Sequence, residues 1–294
     1  MIALIHPYLI KFAPLPIAAV TVYLLACCVL LFGQSRFIFF PSRDLTTTPE
    51  DVNLSYQDVW LPVCSNQNST EFIHGWWIPS SQDSNQPVMI HLHGNSSNIG
   101  ANLGHAQQFH QMGLSVLLID YRGFGQSTPR IPSEKVVYQD AEAAWNYLVN
   151  QKEINPEKIF IFGHSLGGAI AINLATKYPQ IAGLIVESSF TSMGDMADYQ
   201  GKYGMFPIHW LLQQRFASIE KVNQLKMPIL FTHGTADTVV PVEMSEALYA
   251  AATEPKQLLI VEEADHNNVR QVGEMQYFNT IQEFIQQTLK LQYQ

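Results

Sequence analysis

The chain has 294 residues, 47% of them hydrophobic, with only 16 Lys and Arg and a formal net charge of −9. That length suits one large α/β domain with an appendage, and the lack of a basic block or basic–aromatic stripe argues against nucleic acid as a partner. Cys27 and Cys28 are adjacent and Cys64 stands alone, which is no disulfide framework, and no Cys/His spacing suits zinc.

The first element is apolar. No residue between Lys11 and Arg36 is charged, and a helix over that run at ~1.5 Å per residue reaches ~36 Å, enough for a ~30 Å hydrocarbon core. Pro14 and Pro16 sit where a helix tolerates proline, at its start. The expectation is a retained single-pass transmembrane anchor over residues 1–36, with the protein located at a membrane. A cleaved signal peptide and a core helix of a soluble domain are the rival readings. Lys11 opposes Arg36 and Arg43 almost evenly, so the side of the membrane that would hold residues 37–294 stays open.

After a polar linker, "QDVWLPVC" and "EFIHGWWIP" read as an antiparallel hairpin around the turn-prone "SNQNST". A rhythm then begins. "PVMIHLHG", "SVLLIDYRG", "KIFIFGHS", "AGLIVESS", "MPILFTHG" and "KQLLIVEEA" are short apolar runs ending in Gly, Ser, Asp or Glu, as fully covered parallel strands do. Between them "ANLGHAQQFHQMG", "SEKVVYQDAEAAWNYLVNQ", "GAIAINLATKYP", "PVEMSEALYAAAT" and "VGEMQYFNTIQEFIQQTLK" carry apolar residues at helical spacing. The alternation predicts a doubly wound, mostly parallel twisted sheet with helices on both faces, whose function collects at the C-terminal strand ends. From about 190 to 225 the rhythm breaks in a segment rich in aromatics and methionine, read as one or two short helices forming a lid insertion.

In "FIFGHSLGGAIAINLA" the pattern G-x-S-x-G places Ser165 between Gly163 and Gly167, at the end of an apolar strand and the start of a small-residue helix. That is the strand–elbow–helix setting in which a tight turn pushes a serine hydroxyl outward. The alcohol needs a base. His266, in "EEADHNNV" just past the last strand, is placed for that role. His164 belongs to the elbow and should point away, and His74, His105, His110 and His209 read as ordinary surface or packing residues. His91 and His93 share a strand face but lack a third metal ligand at sensible spacing. A carboxylate must hold the base. Asp237, after the penultimate strand, completes the order Ser, Asp, His; Glu187 is the fallback, and Asp265 is too close in sequence to face the ring. Oxyanion donors fall to the amides of Leu166 and of Asn95, in the loop after "VMIHLHGN".

Together "HLHGNSSN", "LLIDYRGFGQS", "IFGHSLGGAIA", "THGTADTVVP" and "ADHNN" resemble the membrane-anchored α/β-hydrolases of the bud-emergence type, similar to animal α/β-hydrolase-domain proteins that include protein depalmitoylases. The resemblance runs from about Arg36 to the C-terminus. It implies the α/β-hydrolase fold and the same five residues as nucleophile, acid, base and oxyanion donors. It also implies a structural loop at Asp120, Tyr121, Arg122 and Gly125. The chain departs from the depalmitoylases in having no N-terminal cysteine cluster. The expected function is a serine hydrolase of carboxylic esters or thioesters with small acyl or lipid-like substrates and no cofactor. A serine aminopeptidase or amidase of the same fold and a non-catalytic binding protein are the alternatives.

Overall fold

Val, Ile, Leu and Phe fill the runs that become strands, where branched and aromatic side chains pack best. In the structure, a computed structural model that describes residues 14–64, 70–80 and 86–291, eight such runs form one sheet. They are β1 (Gln57–Cys64), β2 (Thr70–Ile78), β3 (Val88–Leu92), β4 (Ser115–Ile119), β5 (Ile159–His164), β6 (Gly183–Glu187), β7 (Ile229–Gly234) and β8 (Lys256–Val261). Their spatial order is β1-β2-β4-β3-β5-β6-β7-β8. β1 pairs antiparallel with β2, and β2 with β4, while every later pairing is parallel. The turn expected between β1 and β2, 65–69, lies outside the described residues.

Alternation along each strand sends side chains to both faces. Ile159 and Ile161 of β5 join the core under α4 (Glu134–Asn146), α5 (Leu166–Lys177) and α8 (Val242–Ala251). Phe160 and Phe162 join the opposite core, under α3 (Leu103–Gln111) and α9 (Val269–Leu291). Both faces are thus covered, which is why the strands are continuously apolar. Because β3 lies between β4 and β5, chain direction across the sheet reverses there, and a crevice opens above the C-terminal ends of β3 and β5.

The described residues do not support the expected transmembrane anchor over residues 1–36. Among the described residues no helix is long and apolar enough to cross a membrane. Residues 1–13, which include the first two of the uncharged run, lie outside the described residues. From Pro14 onward the run does not form one continuous helix. α1 (Pro14–Phe32) has 19 residues. It stops at Gly33, and a separate α2 (Gln34–Ile38) turns back onto the domain, burying Gln34 and Ile38. α1 leans on the interval between β6 and β7, which forms α6 (Met193–Gln200) and α7 (Ile208–Leu211). The Tyr23 hydroxyl donates to the Met205 carbonyl at 3.1 Å and its ring stacks on Phe206. Gln34 donates to the carbonyls of Leu31 and Leu211 at 2.9 and 2.7 Å and accepts from the Gln213 amide at 2.9 Å.

Candidate active site

The junction of β5 and α5 is a forced turn. Ser165 has φ 55° and ψ −120°, a conformation that side-chain-bearing residues rarely hold unless neighbours impose it. A Cβ on Gly163 would stand 2.3 Å from the Gly167 carbonyl oxygen, and one on Gly167 2.0 Å from that of Leu92, so only glycine fits either place. The turn is pinned from β6: the Ser165 amide donates to the Glu187 carbonyl at 2.8 Å, and Ser189 Oγ donates to the Ser165 carbonyl at 2.8 Å. Ser165 Oγ reaches a cavity of about 460 Å³ that Asn95 and His266 also line.

The other two chain-distant side chains meet it there. His266, in the loop after β8, has Nε2 3.0 Å from Ser165 Oγ and Nδ1 2.7 Å from Asp237 Oδ2. A carboxylate only accepts, so Nδ1 carries the proton and Nε2 is left to accept from the serine. Asp237, in the loop after β7, accepts from the amides of Val239 and Val240, both at 2.8 Å, through Oδ1. His233 Nε2 stands 3.0 Å from Oδ2, with its Nδ1 2.6 Å from Ser245 Oγ. Burial would raise the Asp237 carboxyl; the hydrogen bonds from His233 and His266 and the Val240 amide outweigh it and hold the group well below its ordinary value. It is a fixed anion behind the imidazole.

A family profile described as serine aminopeptidase, S33, matches residues 83–220. The chain is 31% identical to the protein bem46 of Schizosaccharomyces pombe over 76% of each chain. It is 34% identical to an uncharacterized protein of Mycobacterium tuberculosis over 94% of this chain and 96% of that one. The chain belongs to the family of the protein bem46. The α/β hydrolase domain-containing protein WAV2 of Arabidopsis thaliana is similar at 28% identity over 76% of this chain and 77% of that one. An esterase of Pyrococcus furiosus shares the fold at a TM-score of 0.69 and 22% identity, over 85% of this chain and 98% of that one.

Of the remaining expected residues, Asn95 lies in the loop after β3, the strand beside β5, and Leu166 directly follows Ser165. Asn95 accepts from the Phe40 amide at 2.8 Å and its side chain donates to the Ile38 carbonyl at 2.7 Å, which ties the loop after β3 to the end of α2. Leu166 is the first residue of α5, where amides lack intrahelical partners. The fallback Glu187 does not face His266. It is fully buried, pairs with His105 Nε2 at 3.1 Å and accepts from the hydroxyls of Tyr277 at 2.6 Å and Thr232 at 3.2 Å. Burial opposes its charge, but His105, then His164 and Tyr277, lower its pKa to about 2. His164 points away from the serine, as expected, with Nε2 2.9 Å from the His266 carbonyl, and burial lowers its pKa to about 4. Asp265 accepts from the His266 amide at 2.7 Å rather than touching the ring.

Two further histidines belong to the site. His105, read as ordinary, lines the cavity and meets the buried Glu187. His233 was not singled out at all; its signal is a histidine closing an apolar strand four residues before Asp237. His91, by contrast, is buried with neither ring nitrogen partnered and packs its ring against Phe162. The "DYRG" loop is structural: the buried Arg122 guanidinium meets Asp140 at 2.6 Å and also bonds Glu71 and Gln139.

Proposed function

We propose that the protein is a serine hydrolase of carboxylic esters or thioesters working through an acyl-enzyme. Ser165 Oγ attacks the carbonyl carbon as its proton passes to His266 Nε2, and His266 returns that proton to the departing alcohol or thiol. Water then repeats the sequence on the acyl-serine, with His266 again taking the proton. Asp237 keeps the imidazole in the reactive tautomer and stabilises its cation. The amides of Asn95 and Leu166 donate to the oxygen that becomes negative, where losing one donor typically costs ~10²–10³ in rate. The observation that carries this reading is the unbroken relay from Asp237 through His266 to Ser165, at 2.7 and 3.0 Å. A fluorophosphonate probe should label the wild type and not Ser165→Ala, and a screen of acyl esters and thioesters from two to sixteen carbons should reveal turnover. Equal labelling of both proteins would remove Ser165 from the role.

A second reading is favoured by the family's own description, which names an aminopeptidase. The same relay could expel an amine. Cleavage of amino-acid anilides, with acyl esters inert, would decide for it.

A further inference from the structure

One cation in the cavity has no counterpart among the described residues. Arg270, in the first turn of α9, lines the same space as Ser165, with Asn102, His105 and Gln271 beside it. Its Nε is buried and without a hydrogen-bond partner, and no ion pair to it is made among the described residues. Arg270 as a whole is half-buried, and buried polar atoms such as its Nε are paired as a rule.

The fold explains why the guanidinium is free. In an unbroken helix Arg270 and Glu274 would be neighbours four residues apart, within reach of an ion pair. α9 breaks at Glu274, with φ 38° and ψ −118°, and the pair is not made. The guanidinium lies instead against Gly104 of α3: a Cβ there would be 2.5 Å from its Nη2 and 3.1 Å from its Cζ. Glycine at that position leaves the space the cation occupies. The described lining of the cavity includes no Asp or Glu; its other polar side chains include Asn95, Ser96, Asn102 and Gln271, with His105, His164 and His266, of which His105 faces the buried Glu187. A positive fork in a polar pocket without carboxylates suits an oxyanion, which a guanidinium grips through two parallel N–H donors.

Building on the hydrolase reading above, we propose that Arg270 binds an anionic group of the substrate, a carboxylate or a phosphate, making this an enzyme for charged rather than neutral acyl esters. Arg270 touches the part of the substrate that does not react and so sets specificity.

Two pairs of esters test it. 4-Nitrophenyl hydrogen glutarate against 4-nitrophenyl pentanoate places a carboxylate on the acyl group. 1-Butyrylglycerol 3-phosphate against 1-butyrylglycerol places a phosphate on the leaving group. The readout is the ratio of kcat/KM, anionic over neutral, which is independent of how much of a variant is folded. The wild type should favour the anion in one pair, and that pair names the group. Arg270→Gln should lower that ratio by about tenfold or more, the size of one charge-assisted hydrogen bond. Arg270→Lys should lower it less, and Gly104→Ala, which displaces the guanidinium, should lower it too. Ratios in both pairs that are equal in wild type and Arg270→Gln overturn the proposal while leaving the nucleophile untouched. A wild type that turns over none of the esters and takes no fluorophosphonate overturns the hydrolase reading and this one with it.

Discussion

At the C-terminal edge of the sheet, side chains from loops after β5, β7 and β8 converge and bond one another and the backbone behind them. Asp237 alone touches two histidines and two amides. At the other extreme, α1 and α7 meet through a few contacts and leave large apolar side chains open, with Phe32 80% and Trp210 91% exposed. The first region is over-determined: remove one partner and the rest still hold the geometry, so substitutions there should change chemistry before they change folding. The second hangs on individual side chains such as Gln34 and Tyr23, so substitutions should loosen it and leave the chemistry alone.

The largest effect breaks the comparison if it fails. Ser165→Ala should lower kcat by about 10⁶ with the melting temperature nearly unchanged. A variant that retains measurable turnover at such a level, free of contaminating esterase, would mean that the dense region is not the reacting one. Asp237→Asn should cost about 10⁴ in kcat, because an amide can present a donor to Nδ1 and favour the wrong tautomer. Fluorophosphonate labelling rates would show it. His233→Leu removes one donor to Asp237 but leaves the two amides and His266, so the loss should be far smaller, about tenfold in kcat with little change in KM. A loss as large as that of Asp237→Asn would show that the amides do not hold the carboxylate by themselves.

The buried histidines and Glu187 beneath the edge sharpen the contrast along the pH axis. His164 titrates near 6.5 when unfolded and at about 4 in the fold. Between those values the unfolded chain binds the proton and the folded one does not, so stability drops as pH falls from 6.5 to 4. Glu187 adds to this lower down: its pKa goes from 4.5 to about 2, so its stabilisation is complete above 4.5 and is lost on acidification towards 2. Melting temperatures from pH 7.5 to 4 should fall, with a shallower slope in His164→Gln. A flat wild-type profile would contradict the burial of these groups.

How far the sequence discloses each region obeys the same division. The parallel strands were legible because burial on both faces leaves an uninterrupted apolar run, and the elbow because Gly163 and Gly167 are demanded by backbone atoms a few ångströms away. The order of Ser165, Asp237 and His266 was legible because each comes just after its own strand. His233, His105 and Arg270 were not, since what distinguishes them is a partner, or the lack of one, on an element far off in sequence. Nor was the end of α1. An uncharged run specifies apolarity, not length, and just past the break at Gly33, Gln34 bonds the Leu211 carbonyl and the Gln213 amide, far off in sequence.

That last contact gives the smallest and most discriminating test. Gln34 is buried, and its amide both donates to and accepts from the backbone of residues 211–213. Gln34→Ala strands those groups, which should cost about 1–3 kcal/mol locally. Because α1, α6 and α7 contribute no described lining to the cavity at Ser165, kcat/KM on small esters should stay within about twofold, a change below the ~1 kcal/mol scale of a single contact. Amide hydrogen exchange should quicken over 193–214 and not over β5 or β7, since local opening follows the contacts that oppose it. Exchange that quickens equally in both regions would mean the helices and the sheet edge unfold as one unit, and the division between a dense reacting edge and a loosely held helical side would not survive.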